Sequence, residues 1–230
     1  MNIKTPILTT LTAALVAATP AAAGINLDPD LPMPGDAKYA VPAGKVEHSV
    51  TVTEVSGSKA VPSHTRHELW LSRNRARSVF TDVETGKVTA ETVVAGKETR
   101  TFSAETGRVT IHRTGRPSIP FNSSLFEAAL QRAYVQQGIT KVTGETTVRG
   151  RRALVVENVP GKWRSDDPSS KTVAVVDAET YALYARTTSA PDGAFTQKES
   201  HVTSTLRGGS ARVRFTMGKH PGAKVQRVAR

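Results

Sequence analysis

Short runs rich in β-branched residues follow one another along most of this chain, separated by polar breaks. VEHSVTVTEV, from Val46, alternates apolar and polar residues, although Ser49, Thr51 and Thr53 interrupt a clean count. HTRHELWLS (64–72), ARSVFTDV (76–83), KVTAETVVA (87–95), ETRTFSA (98–104) and RVTIHRT (108–114) come next, with Gly86, Gly96 and Gly107 in the breaks between the last four. Short strands at near-regular spacing with glycine turns predict an antiparallel meander.

One segment has a different period. In LFEAALQRAYVQQ (125–137), Leu125, Phe126, Ala129, Leu130, Ala133 and Tyr134 fall at helical spacing and predict one apolar stripe. Ser124 with Glu127 forms a capping box, and Gly138 is the expected stop. Strands then resume: TKVTGETTV (140–148), RRALVVENV (151–159), VAVVDAETYALYARTT (173–188), FTQKESHVTSTL (195–206), ARVRFTM (211–217) and AKVQRVA (223–229). Val148-Arg149-Gly150-Arg151 is expected to be a hairpin corner. Asp177 is expected to open the turn of the 173–188 hairpin, its carboxylate accepting from backbone N–H groups two residues on. A sheet this long curls because strands twist, and its concave face then needs apolar cover or becomes a cavity. The expected fold class is α+β: a long curved antiparallel sheet, a half-barrel, with one or few covering helices.

The first residues carry a different signal. Lys4 precedes an apolar run from Pro6 to Ala18, and Ala21 and Ala23 form an A-x-A site. That is the pattern of a secretory signal peptide (1–23), and the run falls short of the roughly 20 apolar residues of a membrane span. Residues 24–45, with three prolines before Asp36, read as an extended leader, and 46–230 as one domain with a basic C-terminal segment. About 205 residues after cleavage suffice for a self-sufficient core. There is no cysteine, so neither a disulfide nor an acyl anchor on a lipobox cysteine is expected. The expected location is outside the cytoplasm, secreted or periplasmic, and soluble after cleavage near Ala23. The net charge of +11 falls only to +10 without Lys4. In an exported protein that charge suits anionic lipid headgroups or envelope polymers rather than nucleic acid.

Catalytic signatures are missing. His64 and His67 lie three apart on a strand, on opposite faces, and His48, His112, His201 and His220 are scattered, so no metal site is expected. Ser56-Gly57-Ser58-Lys59 matches S-x-x-K without the S-D-N and K-T-G elements that such enzymes also need, and Gly57 signals a turn. Asp166 and Asp167 sit beside Pro168 in an apparent loop. No enzyme activity, catalytic residue or cofactor is expected. The tryptophans, Trp70 and Trp163, stand out in a chain poor in aromatics, and Trp70 must point away from Leu69 and Leu71.

Several stretches carry a family likeness. VVDAETYALYARTT resembles a hairpin of the LolA, LolB and RseB-like periplasmic lipoprotein-carrier superfamily, in which a strand ends in Asp before an acidic-Thr turn. TTVRGRRALVVENV resembles its Gly-centred hairpin, HELWLSRNRARSVFTD its Trp-bearing strand, and RFTMGKHPGAKVQRV its closing Pro-Gly and final strand. The likeness covers about residues 46 to 229. Tyr181 stands where the family often has Gly, Leu183 near where it often has Pro, and no long amphipathic helix is evident between Asp36 and Lys45.

The resemblance implies a curved sheet closed by helices around a hydrophobic cavity for acyl chains. The residues expected to line it, chosen by position, are Trp70, Phe80, Phe102, Ile111, Phe126, Leu130 and Tyr134. The expected function is an exported envelope binding protein that holds a lipid or an acylated partner protein. Two alternatives stand beside it: an RseB-like regulatory module binding an exported segment of a membrane protein, and a basic protein adhering to anionic wall polymers.

Overall fold

A computed structural model describes residues 31–33, 35–113, 119, 121–160, 162, 170–207 and 215–228. The expected signal peptide, Trp163 and the Asp166–Asp167 pair lie outside the described residues. The elements are β1 (Lys45–Ser56), β2 (Ser63–Leu71), β3 (Arg75–Asp82), β4 (Val88–Ala95), β5 (Glu98–Ser103), β6 (Arg108–Arg113), α1 (Ser124–Gln136), β7 (Thr140–Val148), β8 (Arg151–Asn158), β9 (Lys171–Asp177), β10 (Leu183–Ser189), β11 (Thr196–Arg207) and β12 (Lys224–Val228). All twelve strands form one open curved sheet in the order β12-β6-β5-β4-β3-β2-β1-β11-β10-β9-β8-β7. The fold is an α+β half-barrel with a single α-helix among the described residues, beside one 3-10 turn at Ala37–Tyr39.

Two meanders, β1–β6 and β7–β11, meet along β1 and β11, whose register runs from Lys45↔Arg207 to Ser56↔Thr196. Glycine makes the tight corners possible. At the β7–β8 hairpin Arg149 and Gly150 both have positive φ, 51° and 77°, as the two central residues of a twist-matched hairpin require. Tyr181, in the β9–β10 turn, also has positive φ, 62°. Gly enters this region without the steric cost that a side chain carries. Here the Arg132 guanidinium lies 5.2 Å over the Tyr181 ring, and the ring packs on the core.

The helix starts one residue earlier than its capping box implies. Ser123 is the N-cap, its Oγ accepting from Phe126 N (3.3 Å), while Ser124 turns to the sheet and donates its N–H and hydroxyl to Glu47. A buried carboxylate with two donors outweighs a solvent-side cap at Ser124. Gly138, φ 66°, closes the helix as expected. The apolar stripe is narrower than its spacing suggests: Phe126 and Ala133 are buried, but Leu125 is 47% exposed.

Registers assign the two faces. Glu47 reaches α1, and Leu71, Ala76 and Val94 align with it across β2, β3 and β4, so these face inward, toward the helix. His48, Trp70, Arg77 and Val93 face outward. The inner face holds two apolar clusters. One is Val41, Leu69, Leu71, Ala76 and Val94, covered by Ile119 and Phe121. The other is Leu154, Val156, Ala174 and Val176, covered by Val135 of α1 with Tyr181 and Leu183. Each fully buried valine there contributes about 1.5–3 kcal/mol. Between the clusters the inner face is polar, lined by Ser49, Thr51, His67, His201 and Thr203. On β1 the serine and threonines that disturb the alternation therefore point inward, and Val50 and Val52 outward, the reverse of a strand that packs its apolar side on a core.

The C-terminal segment differs from expectation. Phe215–Met217 is irregular rather than strand. It crosses the outer face, where Gly218 N donates to Glu91, whose side chain also meets His220 Nε2 at 2.7 Å and Arg77 Nε at 2.8 Å. These contacts satisfy a carboxylate that is only 1% exposed. The chain then runs parallel, not antiparallel, to β6 as β12.

Candidate functional site

Asp177 acts as the corner of its hairpin. Its Oδ1 accepts from Glu179 N (3.1 Å), Thr180 N (2.8 Å) and Thr180 Oγ1 (2.9 Å); its Oδ2 accepts from Arg151 Nε (2.7 Å) and Tyr184 OH (2.8 Å). The Arg151 guanidinium, aided by the Thr180 and Tyr184 donors, holds the carboxyl far below its usual range despite burial. Every acceptor position is filled by the protein itself, so the acidic turn is a structural anchor.

The site candidate lies on the inner face. A cavity of about 530 Å³ opens between α1 and strands β8 to β11. Ligand pockets commonly span about 300–1,000 Å³. Val156 and Ala174 form its apolar floor, Leu130 and Tyr134 its helix wall, and Phe195 closes one side. A rim of neutral groups surrounds them: Gln131, Thr140, Asn158, Thr172, Thr188 and Gln197. Thr140 Oγ1 is buried there with no hydrogen-bond partner in the protein.

At one end of the cavity stands a charged cluster. Arg186 Nε and Nη2 bind Glu199 Oε2 at 2.8 and 2.7 Å, and Nη1 lies 3.8 Å from Glu127 Oε1 on α1. Burial alone would raise the pKa of Glu199, but His201 and Arg186 outweigh it and bring it down to about 2. Burial pushes His67 down to about 4, with His201 adding to the effect; its Nε2 meets Ser78 Oγ at 2.8 Å. The imidazole is therefore neutral at pH 7. Ser78 is fully buried, so this Ser–His contact presents no accessible nucleophile. Lys59, of the S-x-x-K match, pairs with Asp192 at 3.2 Å. No group of three or more candidate metal ligands converges among the described residues.

The seven expected lining residues do not share one site. Leu130 and Tyr134 line the helix cavity. Phe126 borders a second hollow of about 250 Å³ with Tyr39, Val41 and Phe121. Phe80 is on the inner face, stacked on His67 at 4.1 Å. Trp70 is on the outer face, stacked on His48 at 4.8 Å, and Phe102 is there too, buried under His220 at 3.6 Å. Ile111 shares the register face of Phe102. Val156, Ala174, Phe195 and Arg186 escaped sequence reasoning. The β-branched alternation of 151–159 and 173–176 did mark which side of β8 and β9 is apolar, but not that a void lies over it.

The architecture is a half-barrel with a helix-covered hollow. The sequence matches no family model and none of the curated proteins. Solved structures resemble it in shape. An uncharacterized conserved protein from Thermus thermophilus has a TM-score of 0.44 at 11% identity, covering 80% of this chain and 90% of that one. MucB in the Pseudomonas aeruginosa MucA/MucB complex has 0.41 at 16% identity, covering 75% and 56%. A LolA superfamily protein from Nitrosomonas europaea has 0.28 at 8% identity, covering 73% and 88%. The last bears the LolA name that the hairpin motifs suggest. At these scores the likeness is one of partial shape, and the site is read from its own geometry.

Proposed function

We propose that the protein is an exported, non-enzymatic binding protein that holds a lipid, or the acyl chain of an acylated partner, between α1 and the inner face. The observation that carries this reading is the cavity of about 530 Å³ with Val156 and Ala174 below and Leu130 and Tyr134 above. The apolar floor and helix wall of that hollow are open to solvent, and an acyl chain laid on them removes that apolar surface from water. The charges stand at one end of the cavity, Arg186 held by Glu199 and Glu127 a third exposed, away from its apolar floor. Among the described residues no helix is long and apolar enough to cross a membrane. Export rests on the sequence pattern of residues 1–23.

The sheet's β5–β6–β12 end supports approach to an anionic surface. Lys97, Arg100, Arg108, Arg113, Lys219, Lys224 and Arg227 are set there against Glu98 and Glu105 alone. Such a basic end favours encounter with headgroups and weakens as salt screens it.

Uptake of a fluorescent fatty acid tests the proposal. The purified protein is expected to bind it saturably, and Thr188→Trp, which places a large ring in the cavity, is expected to abolish uptake while the fold's circular dichroism persists. Uptake unchanged in the folded Thr188→Trp variant would place the ligand elsewhere.

A further inference from the structure

A third hollow of about 270 Å³ adjoins the cavity beneath α1 and forms a second chamber beside it. Ser49, Thr51, His67 and His201 line its sheet side, and Leu69, Leu183 and Tyr184 form its apolar wall. Two residues line both hollows, Glu127 and Arg186. They are also the pair that spans from α1 to the sheet. The boundary between the hollows is therefore made of side chains, not backbone.

The two halves of this boundary are held unequally. Arg186 is fixed to the sheet by two short contacts with Glu199, itself largely buried. Its reach to Glu127 is 3.8 Å, at the limit of an ion pair, and Glu127 is a third exposed. Glu127 is also tied along its own helix, accepting from Gln131 Nε2 at 3.3 Å. A pair at this distance, a third open to solvent, is largely screened. The pair thus does little for stability, while its position decides whether the inner face offers one long trough or two short chambers.

We propose that the Glu127–Arg186 pair is a partition that sets the length of acyl chain the protein accepts, by closing the first chamber off from the second. This rests on the acyl-binding reading of the first chamber. It makes Glu127 a specificity determinant: truncating it removes the helix half of the wall and leaves Arg186 bound to Glu199. Truncating Arg186 instead would strand Glu199 as a buried, unpaired charge, so Glu127 is the side to cut.

The test is competition of saturated fatty acids of increasing length against the fluorescent probe. Each CH₂ newly buried strengthens binding by about fourfold. In the unaltered protein affinity should climb with length and then level off as the first chamber fills. In Glu127→Ala the climb should continue, giving at least about tenfold tighter binding at lengths where the unaltered protein is flat. Glu127→Ser serves the same purpose if the alanine variant fails to fold. A folded truncation variant that levels off at the unaltered protein's length overturns the partition while leaving the acyl-binding site standing. Failure of the unaltered protein to bind any fatty acid overturns both.

Discussion

Replacing Asp177 gives the sharpest reading of what holds the second meander together. Asp177 is 2% exposed and accepts from two backbone N–H groups, two hydroxyls and the Arg151 guanidinium. Asp177→Ala strands all of these donors. Hydrogen bonds to charged groups contribute about 1.5–3 kcal/mol each, but turn N–H groups freed near the surface recover water. The Arg151 side chain is 55% exposed, so solvent screening keeps its share small. A net loss of about 3–5 kcal/mol is expected. Asp177→Asn keeps the Oδ1 acceptor for Glu179 N and Thr180. It loses the charge and the Oδ2 acceptor of Arg151 Nε, while the Tyr184 hydroxyl can turn to accept from Nδ2. Its expected cost is about 1–2 kcal/mol. Urea unfolding should show a large fall in midpoint for Ala and a small one for Asn, at unchanged slope. A cost for Asp177→Ala below about 1 kcal/mol, or equal costs for both variants, would refute the assignment of Asp177 as the turn's anchor.

Acid should weaken the fold in two stages. His67, lowered from 6.5 to about 4, stays neutral when folded, so below pH 6.5 the unfolded chain gains a proton that the folded one lacks; up to about 3 kcal/mol is lost by pH 4. Glu199, lowered from 4.5 to about 2, contributes stability above pH 4.5 that is lost as pH falls toward 2. Urea midpoints measured from pH 7 to 3 check both, and His67→Gln should flatten the first stage; a midpoint constant from pH 7 to 4.5 contradicts it. Gly57→Ala should cost more than about 2 kcal/mol, because a Cβ at φ 135° would lie 2.8 Å from Phe195 Cα; thermal unfolding within a degree of the unaltered protein would contradict that contact.

The helix and the strands were readable because their signals are local. Ser123-Ser124, Glu127 and Gly138 bracket α1, and glycines at 86, 96 and 107 adopt the positive φ that their turns need. What was not readable is which face of each strand looks inward. Alternation on β1 separates Val50 and Val52 from Ser49 and Thr51, yet it cannot say that the polar side faces the helix. That reversal exists because the middle of the inner face borders a hollow rather than a core. The aromatic residues misled for a related reason. Trp70 and Phe102 suit a buried interior, but the outer face has its own cover, the 215–228 segment, pinned by His220 and Gly218 to Glu91. Those contacts join residues 127 and more positions apart, and nothing near Glu91 in the sequence announces them.

Native mass spectrometry of the purified protein, followed by organic extraction, tests the central claim most directly. The account predicts a stoichiometric acylated ligand that survives gentle ionisation, appears in the organic phase, and is missing from Thr188→Trp. A protein that flies empty, yields no lipid on extraction and takes up no fatty acid afterwards would contradict the acyl-binding cavity.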